Sequence, residues 1–415
     1  MTEIAESLRG IPKLSEVLST VSEAYSPEIA EALRAELALV AQLSYADISC
    51  CIALILEGPS GAGKSALIEM LNPIEETRPY LRREDRFTAP AFVSNASNRN
   101  ASQLDKMDLL PKLKHRVMLT KELASMFGSD DKALRETFGI IAAVLDGRGY
   151  RTATGSHGER GYEGDFRFNW IGATTPVATR IHNLMAGFGC RFLFYECRFP
   201  EPDFEEISSK MKNASSYSMQ EECNALVNEF VKQHFERYKV KSVSLDDIEC
   251  PDEVFKGLYG FAKLMTLGRR AVFHDEASAT GSENESERAY FASPPELVWR
   301  PIEMFRSICI GSALMSDRKS LTADDLAIIR HIAISSIPDK RRKLLRYLIR
   351  EGGRLTSTDA EKQLRCSRPT AIKWMRELAA TEICAFHDNE SGNNDPSLIT
   401  LNEMFWFLVP KLAEE

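Results

Sequence analysis

The stretch Gly58-Pro59-Ser60-Gly61-Ala62-Gly63-Lys64-Ser65 constrains this chain more than any other. Its spacing is that of a P-loop: glycine, four residues, then Gly-Lys-Ser. The context fits. The apolar run Ile52-Ala53-Leu54-Ile55-Leu56 reads as a buried strand before it, and Ala66-Leu67-Ile68-Glu69-Met70-Leu71 reads as a helix after it. A strand that turns into a helix through glycines aims backbone N–H groups and a helix N-terminus at one point, where a phosphate is held. At such a point Lys64 reaches the β- and γ-phosphates, and the Ser65 hydroxyl ligates Mg²⁺. The competing reading is a glycine-rich turn with no ligand.

Bulk properties narrow the setting. A chain of 415 residues has room for two or three domains with substantial cores. No apolar run is long enough to cross a bilayer. The start, Met1-Thr2-Glu3-Ile4-Ala5-Glu6, lacks the basic and apolar regions of a signal peptide. The nine cysteines show no C-x-x-C spacing, although Cys50 and Cys51 are adjacent. That usage suits reduced, mostly buried thiols, with neither a disulfide framework nor a zinc site, and the expectation is a cytoplasmic protein with no membrane partner. A net charge of −8 excludes a polycation, so contact with nucleic acid requires a local basic patch.

Four segments follow along the chain. Residues 1–47 form a helical segment, with Leu33, Leu37 and Val40 at helical spacing and Ser26-Pro27-Glu28-Ile29 as a helix start. Residues 48–205 are mixed α/β, with strands expected over Ala53–Leu56, Arg116–Leu119, Phe166–Gly172 and Phe192–Cys197. Residues 206–337 are a helical lid, interrupted by the polar loop Ser278–Pro295. Residues 338–415 make a small C-terminal module and tail.

A P-loop hydrolase needs an acidic residue after a second strand, to polarise the attacking water or hold the metal shell. In Val117-Met118-Leu119-Thr120-Lys121-Glu122 that residue is Glu122, a candidate for both roles. The usual ending is Asp-Glu, and Lys121 stands in the Asp position. Either Glu122 serves alone or another carboxylate, such as Asp146, assists. Downstream, Phe168-Asn169-Trp170-Ile171-Gly172-Ala173-Thr174-Thr175-Pro176 reads as a strand ending in small polar residues.

These features together resemble the AAA+ ATPases. The Gly-Ala-Thr-Thr string is similar to the first sensor of Holliday-junction branch-migration motors. The resemblance implies that this strand lies between the P-loop strand and the acidic strand, and that Thr174 or Thr175, with Thr175 preferred, positions water against the γ-phosphate. Gly189-Cys190-Arg191-Phe192 resembles the Arg-Phe step after that strand in AAA+ proteins, including the minichromosome-maintenance helicases, and implies that Arg191 reaches a neighbouring subunit's nucleotide. A planar, permanently charged guanidinium suits such a role; a salt bridge closing the domain is the alternative. Arg300, in Glu296-Leu297-Val298-Trp299-Arg300, followed by Leu321-Thr322-Ala323-Asp324-Asp325-Leu326, looks like the second sensor of the same lid, with Arg269, Arg270 and Arg306 as competitors. Thr322 is the expected N-cap of its helix.

Between Glu122 and the sensor strand lie Asp146-Gly147-Arg148-Gly149-Tyr150-Arg151-Thr152 and Gly155-Ser156-His157-Gly158-Glu159-Arg160-Gly161-Tyr162. Glycine-flanked arginines and tyrosines suggest a hairpin. Arg binds phosphates and Tyr stacks on bases, and the resembling helicases project a hairpin here into a central pore. Arg148, Arg151 and Arg160 are therefore candidate DNA contacts, set against a connection that packs on the next subunit.

Residues 338–386 hold twelve Lys/Arg against six Asp/Glu. The pattern is three helices with tight turns, with Thr358-x-x-Glu361 read as a capping box opening the second and Ser367-Arg368-Pro369-Thr370 opening the third. Ile372, Met375 and Leu378 would face inward, leaving Arg368, Thr370, Lys373, Trp374 and Arg376 to solvent, as on a recognition helix. The module resembles a winged helix, with Ile383–Phe386 and Ile399–Leu401 as wing strands around Asp388–Asp395. It would bind DNA or dock a partner protein.

The sequence thus predicts an α/β P-loop NTPase core of AAA+ type, a helical lid and a C-terminal winged helix. The resemblance, over about residues 48–335, extends to ATP-binding proteins of mobile elements and prophages. It implies ATP and Mg²⁺ as cofactors and a hexameric helicase or translocase acting on DNA. Two alternatives stay open: an ATP-driven regulator or loader assembling on DNA or on a partner, as in phage defence, which Lys121 favours; and a sequence-specific DNA-binding protein whose oligomerisation ATP controls.

Overall fold

The computed structural model describes residues 12–49, 51–94, 101–154, 158–189, 191–198, 204–205, 207–208, 216–274, 289–388 and 396–410. Cys50, Gly155–His157, Cys190, 278–288 of the expected polar loop and 389–395 of the expected wing loop lie outside them, as do residues 1–11 and 411–415. In chain order the elements begin with α1 (Leu14–Ala24), α2 (Pro27–Ala41), β1 (Ala53–Glu57), α3 (Lys64–Met70), β2 (Leu81–Arg83), α4 (Ala101–Met107), α5 (Leu109–Leu113), β3 (Val117–Thr120), α6 (Ala124–Phe127) and α7 (Asp131–Val144). Next come β4 (Gly149–Thr154), β5 (Gly158–Glu163), β6 (Asn169–Thr174), α8 (Thr179–Ala186), β7 (Phe192–Glu196), α9 (Ser216–Arg237), α10 (Asp252–Gly268), β8 (Val272–His274) and β9 (Tyr290–Ala292). The rest are α11 (Trp299–Met315), α12 (Ala323–Ser335), α13 (Asp339–Arg350), β10 (Arg354–Thr356), α14 (Ser357–Leu364), α15 (Arg368–Ala379), β11 (Cys384–His387) and β12 (Leu398–Leu401).

The chain divides into two compact units that interleave along the sequence. The first comprises Met1–Val177, Arg191–Phe255 and Ile302–Ile332; the second comprises Ala178–Cys190, Lys256–Pro301 and Ala333–Glu415.

The first unit is built on a parallel sheet in the order β2-β3-β6-β1-β7. Its central strands are buried along their whole length, as expected of parallel strands covered on both faces. Register places Leu56 beside Ala173 on one side and Tyr195 on the other. Strand β6, expected over Phe166–Gly172, starts at Asn169 and runs on to Thr174. The preceding residues bond as a connection instead. Arg167 grips Asp165 and donates to the carbonyls of Ala46 (2.9 Å) and Ile48 (2.6 Å), while its own carbonyl accepts from His115. The first strand residue, Asn169, is buried and fully employed: its Oδ1 accepts from the Ile52 N–H and its Nδ2 donates to Leu39 O.

Helix α2 starts where the sequence suggested. The Ser26 hydroxyl accepts from the Ile29 N–H, and Pro27 occupies the first turn, where its missing N–H costs nothing. Most of α2 is buried, and α11 crosses it closely: a Cβ on Gly311 would lie 2.0 Å from Ala38 O.

In the second unit, α13 buries Leu344, Leu345, Leu348 and Ile349, and with them Arg341 and Arg342. Arg341 donates to the carbonyls of Gly268 (2.8 Å) and Arg270 (2.7 Å), which α10 leaves unpaired at its end. Arg342 donates to Ser335 O. Two of the twelve cations counted in this module are therefore inside the unit. The three strands β10-β12-β11 form an antiparallel sheet. Strand β10 ends at Thr356, which caps α14: its hydroxyl accepts from the Asp359 N–H. The expected capping box at Thr358 and Glu361 lies two residues too far along. On α15 the fully buried positions are Ala371, Met375 and Leu378; Ile372 is half-buried.

Candidate functional site

The P-loop connects β1 to α3 at the carboxyl edge of the sheet, the edge at which open parallel sheets place their ligands. The Gly58 N–H donates to Thr174 O (3.3 Å), tying the loop to the end of β6. A Cβ on Gly58 would stand 2.7 Å from Cys197 O, so only glycine fits between the loop and the residue after β7. Gly61 (φ +83°) and Gly63 (φ +65°) take left-handed conformations that turn the backbone into α3. The first N–H groups of that helix have no acceptor within it and face the loop.

Lys64 is buried, and its ammonium donates to the carbonyls of Gly58 and Pro59, both at 2.7 Å. Burial pulls its pKa below the ordinary value, while the neighbouring Cys197 and Glu122 act in the opposite sense. The loop thus holds one cation against its own first two carbonyls. Ser65 is exposed at the start of α3. One glycine without room for a side chain, two in left-handed conformations, a buried ammonium and an accessible hydroxyl fit the donor set that a nucleoside triphosphate with Mg²⁺ requires.

Glu122 follows β3, is exposed, and accepts from the Ala124 N–H at 2.7 Å. The adjoining Leu123 N–H donates to Ala173 O (2.8 Å), and Leu123 packs where any side chain on Gly172 would be, 2.6 Å from its Cβ position. These contacts hold the Glu122 turn against the end of β6. Strand β6 lies between β1 and β3, so the P-loop, the end of β6 and the Glu122 turn share one edge. Thr174 is the last strand residue and is buried beside Glu57; Thr175 is the next residue and half-buried. The Val177 N–H donates to the Glu57 carboxylate (2.8 Å), which fixes the chain beyond Thr175.

Lys121 turns away from this edge. Its ammonium pairs with Glu69 on α3, the helix that the P-loop opens, and Glu69 also meets Arg83 at 3.3 Å. Neither partner was legible in the sequence, because the pair spans the fold rather than one element. Arg191 pairs with Asp146 at 2.9 Å, so the carboxylate considered as an assistant to Glu122 holds this guanidinium instead. Arg300 is the second residue of α11, in the second unit with Arg269 and Arg270, whereas Arg306 belongs to the first. Arg270 donates to the carbonyls of Ser293 and Ala292 and pairs with Glu382 at 2.6 Å.

The glycine-rich insert forms the antiparallel hairpin β4–β5. Gly149 and Gly161 allow its strands to approach: a Cβ on either would lie 2.2 Å from the facing carbonyl. Arg148 is exposed; Arg151 is 55 % exposed and pairs with Glu159 and Glu163. Arg160 is held inside. It pairs with the wholly buried Asp108 at 2.6 Å and donates to Ser94 O, and the Tyr162 hydroxyl donates to the same Asp108 at 2.7 Å. On α15, Arg368 and Lys373 are half-buried, and Arg376 pairs with Asp388 (2.7 Å) above the Phe386 ring. Lys340 lies over Trp374, which is itself half-buried.

The seven described cysteines are free thiols, five of them buried. Among the described residues no helix is long and apolar enough to cross a membrane, and no cluster of His, Cys, Asp and Glu could by itself hold a metal ion.

No protein-family model and no curated protein matches the chain. Among solved structures it is similar to a provisionally assigned ATPase from Cytophaga hutchinsonii, with 11 % identity and a TM-score of 0.38 over 78 % of this chain and 88 % of that one. The mixed α/β unit with its central parallel sheet and P-loop has a P-loop NTPase-like fold.

Proposed function

We propose that this chain is an ATPase of the AAA+ class that hydrolyses ATP with Mg²⁺ and acts on DNA as a homo-oligomer, a hexameric helicase or translocase. The observation that carries the ATPase reading is the shared sheet edge: Lys64 and Ser65 after β1, Thr175 after β6 and Glu122 after β3, with β6 in the middle. Bound Mg²⁺ would neutralise the phosphate charge that develops during transfer. Lys64 and the loop N–H groups would hold the phosphates, and Ser65 would ligate the metal. Glu122 takes the proton of the attacking water, and Thr175 orients that water. Arg191 serves the nucleotide of the adjacent subunit after exchanging Asp146 for phosphate, and Arg300 completes the lid. The C-terminal module, read as a winged helix, and Arg148 and Arg151 on the hairpin supply the cations toward DNA.

A second reading has a specific observation behind it. Lys121 removes one acid from the metal shell and spends its charge on Glu69. That favours a slow ATP-driven switch or loader, docking on DNA or on a partner through the C-terminal module. ATP turnover with and without single- and double-stranded DNA, beside Lys64→Ala and Glu122→Gln, separates the two. Strong DNA stimulation lost in both variants supports the motor and calls for a strand-displacement assay. Turnover that ignores DNA sinks the motor and leaves the switch.

A further inference from the structure

The first unit holds a cavity of about 640 Å³ that takes no part in the P-loop edge. It is bounded by the start of α1 and the C-terminal turns of α9 and α11, with Arg34 of α2 entering from the side. Its floor is apolar. Phe230, Leu314 and Met315 are buried there, and Leu14 and Leu18 are half-buried walls. The volume lies within the range of small-molecule sites, roughly 300–1,000 Å³.

The polar side is cationic. Lys13, Arg34 and Arg237 line the cavity with one carboxylate, Asp317. That carboxylate is already engaged by Arg237 and by the Tyr238 hydroxyl at 3.4 Å. Arg34 carries five N–H donors, yet its contacts are long: Glu31 at 3.6 Å and Asp324 O at 3.4 Å. His234 adds no charge, because burial pushes its imidazole down to about 4 while its ring meets the Ser44 hydroxyl at 3.1 Å. A chain of net charge −8 thus presents an apolar cavity with surplus positive charge at its rim.

We propose that this cavity binds an amphiphilic monoanion. The apolar body rests on Phe230, Leu314 and Met315, and a single carboxylate or sulfonate head meets Arg34. A guanidinium is the side chain best shaped for such a head. An uncharged ligand would use the floor but leave Arg34 with its long contacts, and a cation would be repelled by the rim. This site is independent of the nucleotide reading.

The test is a fluorescence titration of the full chain with 1-anilinonaphthalene-8-sulfonate, followed by displacement with decanoate, decanol and ATP. One bound probe per chain is expected, displaced by decanoate at a concentration roughly tenfold or more below that needed for decanol, and not by ATP. Arg34→Gln weakens probe and decanoate roughly tenfold or more, the loss of one charge-assisted contact. Leu18→Trp, which narrows the cavity, abolishes probe binding while the urea midpoint is kept. Either variant suffices if the other does not fold. Absence of saturable binding, equal displacement by decanol, displacement by ATP, or binding unchanged in the folded variants would each overturn the proposal.

Discussion

The Arg191 guanidinium meets the Asp146 carboxylate at 2.9 Å, joining the residue before β7 to the turn before the β4–β5 hairpin. The arginine is 13 % exposed and its partner 41 %. A guanidinium held this way is either a closure of the fold or a finger in its resting position. The two differ in what mixing does. For a shared site, Arg191→Ala lowers turnover about 10³-fold or more, and combining Arg191→Ala with Lys64→Ala chains restores part of it, because each supplies what the other lacks. If mixing restores nothing and Asp146→Asn is as damaging as Arg191→Ala, the pair only closes the fold.

The acidic turn divides its work between two neighbours. Glu122→Gln should lower ATP turnover about 10²–10⁴-fold, the usual worth of a general base, with nucleotide binding retained. Lys121→Ala breaks the pair with Glu69 and should change turnover far less, within roughly tenfold. Titration of a fluorescent ATP analogue beside steady-state rates checks both. Equal losses in the two variants would place Lys121 in the reaction.

The hairpin is clamped at its root. Asp108, wholly buried, accepts from Ser94, Arg160 and Tyr162. Removing Arg160 leaves an unpaired buried carboxylate, so Arg160→Met should cost about 3–5 kcal/mol of stability. Arg148→Ala, at an exposed position, should cost almost nothing in stability and should weaken DNA binding with a shallower salt dependence. Urea unfolding and DNA titrations at two salt concentrations measure these effects. Arg160→Met stable but defective in DNA binding would reverse the assignment.

Gly58→Ala should abolish nucleotide binding and lower the melting temperature. The added methyl would lie 2.7 Å from Cys197 O, a backbone atom that cannot swing aside. Gly61→Ala meets nothing within 4 Å and suffers only its φ of +83°, a strain of about 1 kcal/mol. Calorimetric titration with ATP should therefore rank Gly58→Ala well below Gly61→Ala. The reverse order would show that the loop opens away from Cys197.

Stability should fall with acid. Burial lowers the imidazole of His234 to about 4 and that of His182 to about 3, against 6.5 when unfolded. Between those values the unfolded chain binds protons that the folded chain refuses, so stability rises with pH across the window. The urea midpoint should drop from about pH 6.5 downward, and His234→Gln should flatten part of that slope. The fully buried Glu36, whose carboxyl burial raises well above its ordinary value, acts in the opposite sense across this window, so a midpoint constant from about pH 6.5 to 4.5 would show that the two rings do not outweigh it.

Local patterns decided what could be read without coordinates. The short apolar run Ala53–Leu56 ahead of the glycines at 58, 61 and 63 reads as a buried strand entering a tight turn, and Ser26-Pro27 reads as a helix start; the structure has all three. Each of these signals involves neighbours a few residues apart, so one sequence window contains the whole cause. The cap of α14 is local as well: Thr356 stands three residues before Asp359, the same spacing as Thr358 and Glu361, and the end of β10 at Thr356 decides between the two.

What only the tertiary structure decided is which charges are free. The sequence shows Lys121, Arg160, Arg191, Arg341 and Arg376 as cations of equal standing. Folding gives them Glu69, Asp108, Asp146, the carbonyls of Gly268 and Arg270, and Asp388 in turn. It also interleaves Ala178–Cys190 and Lys256–Pro301 with the C-terminal module in one unit. A charge is neutralised by whatever the fold brings within a few ångströms, and that distance is set by packing over the whole chain rather than by spacing along it.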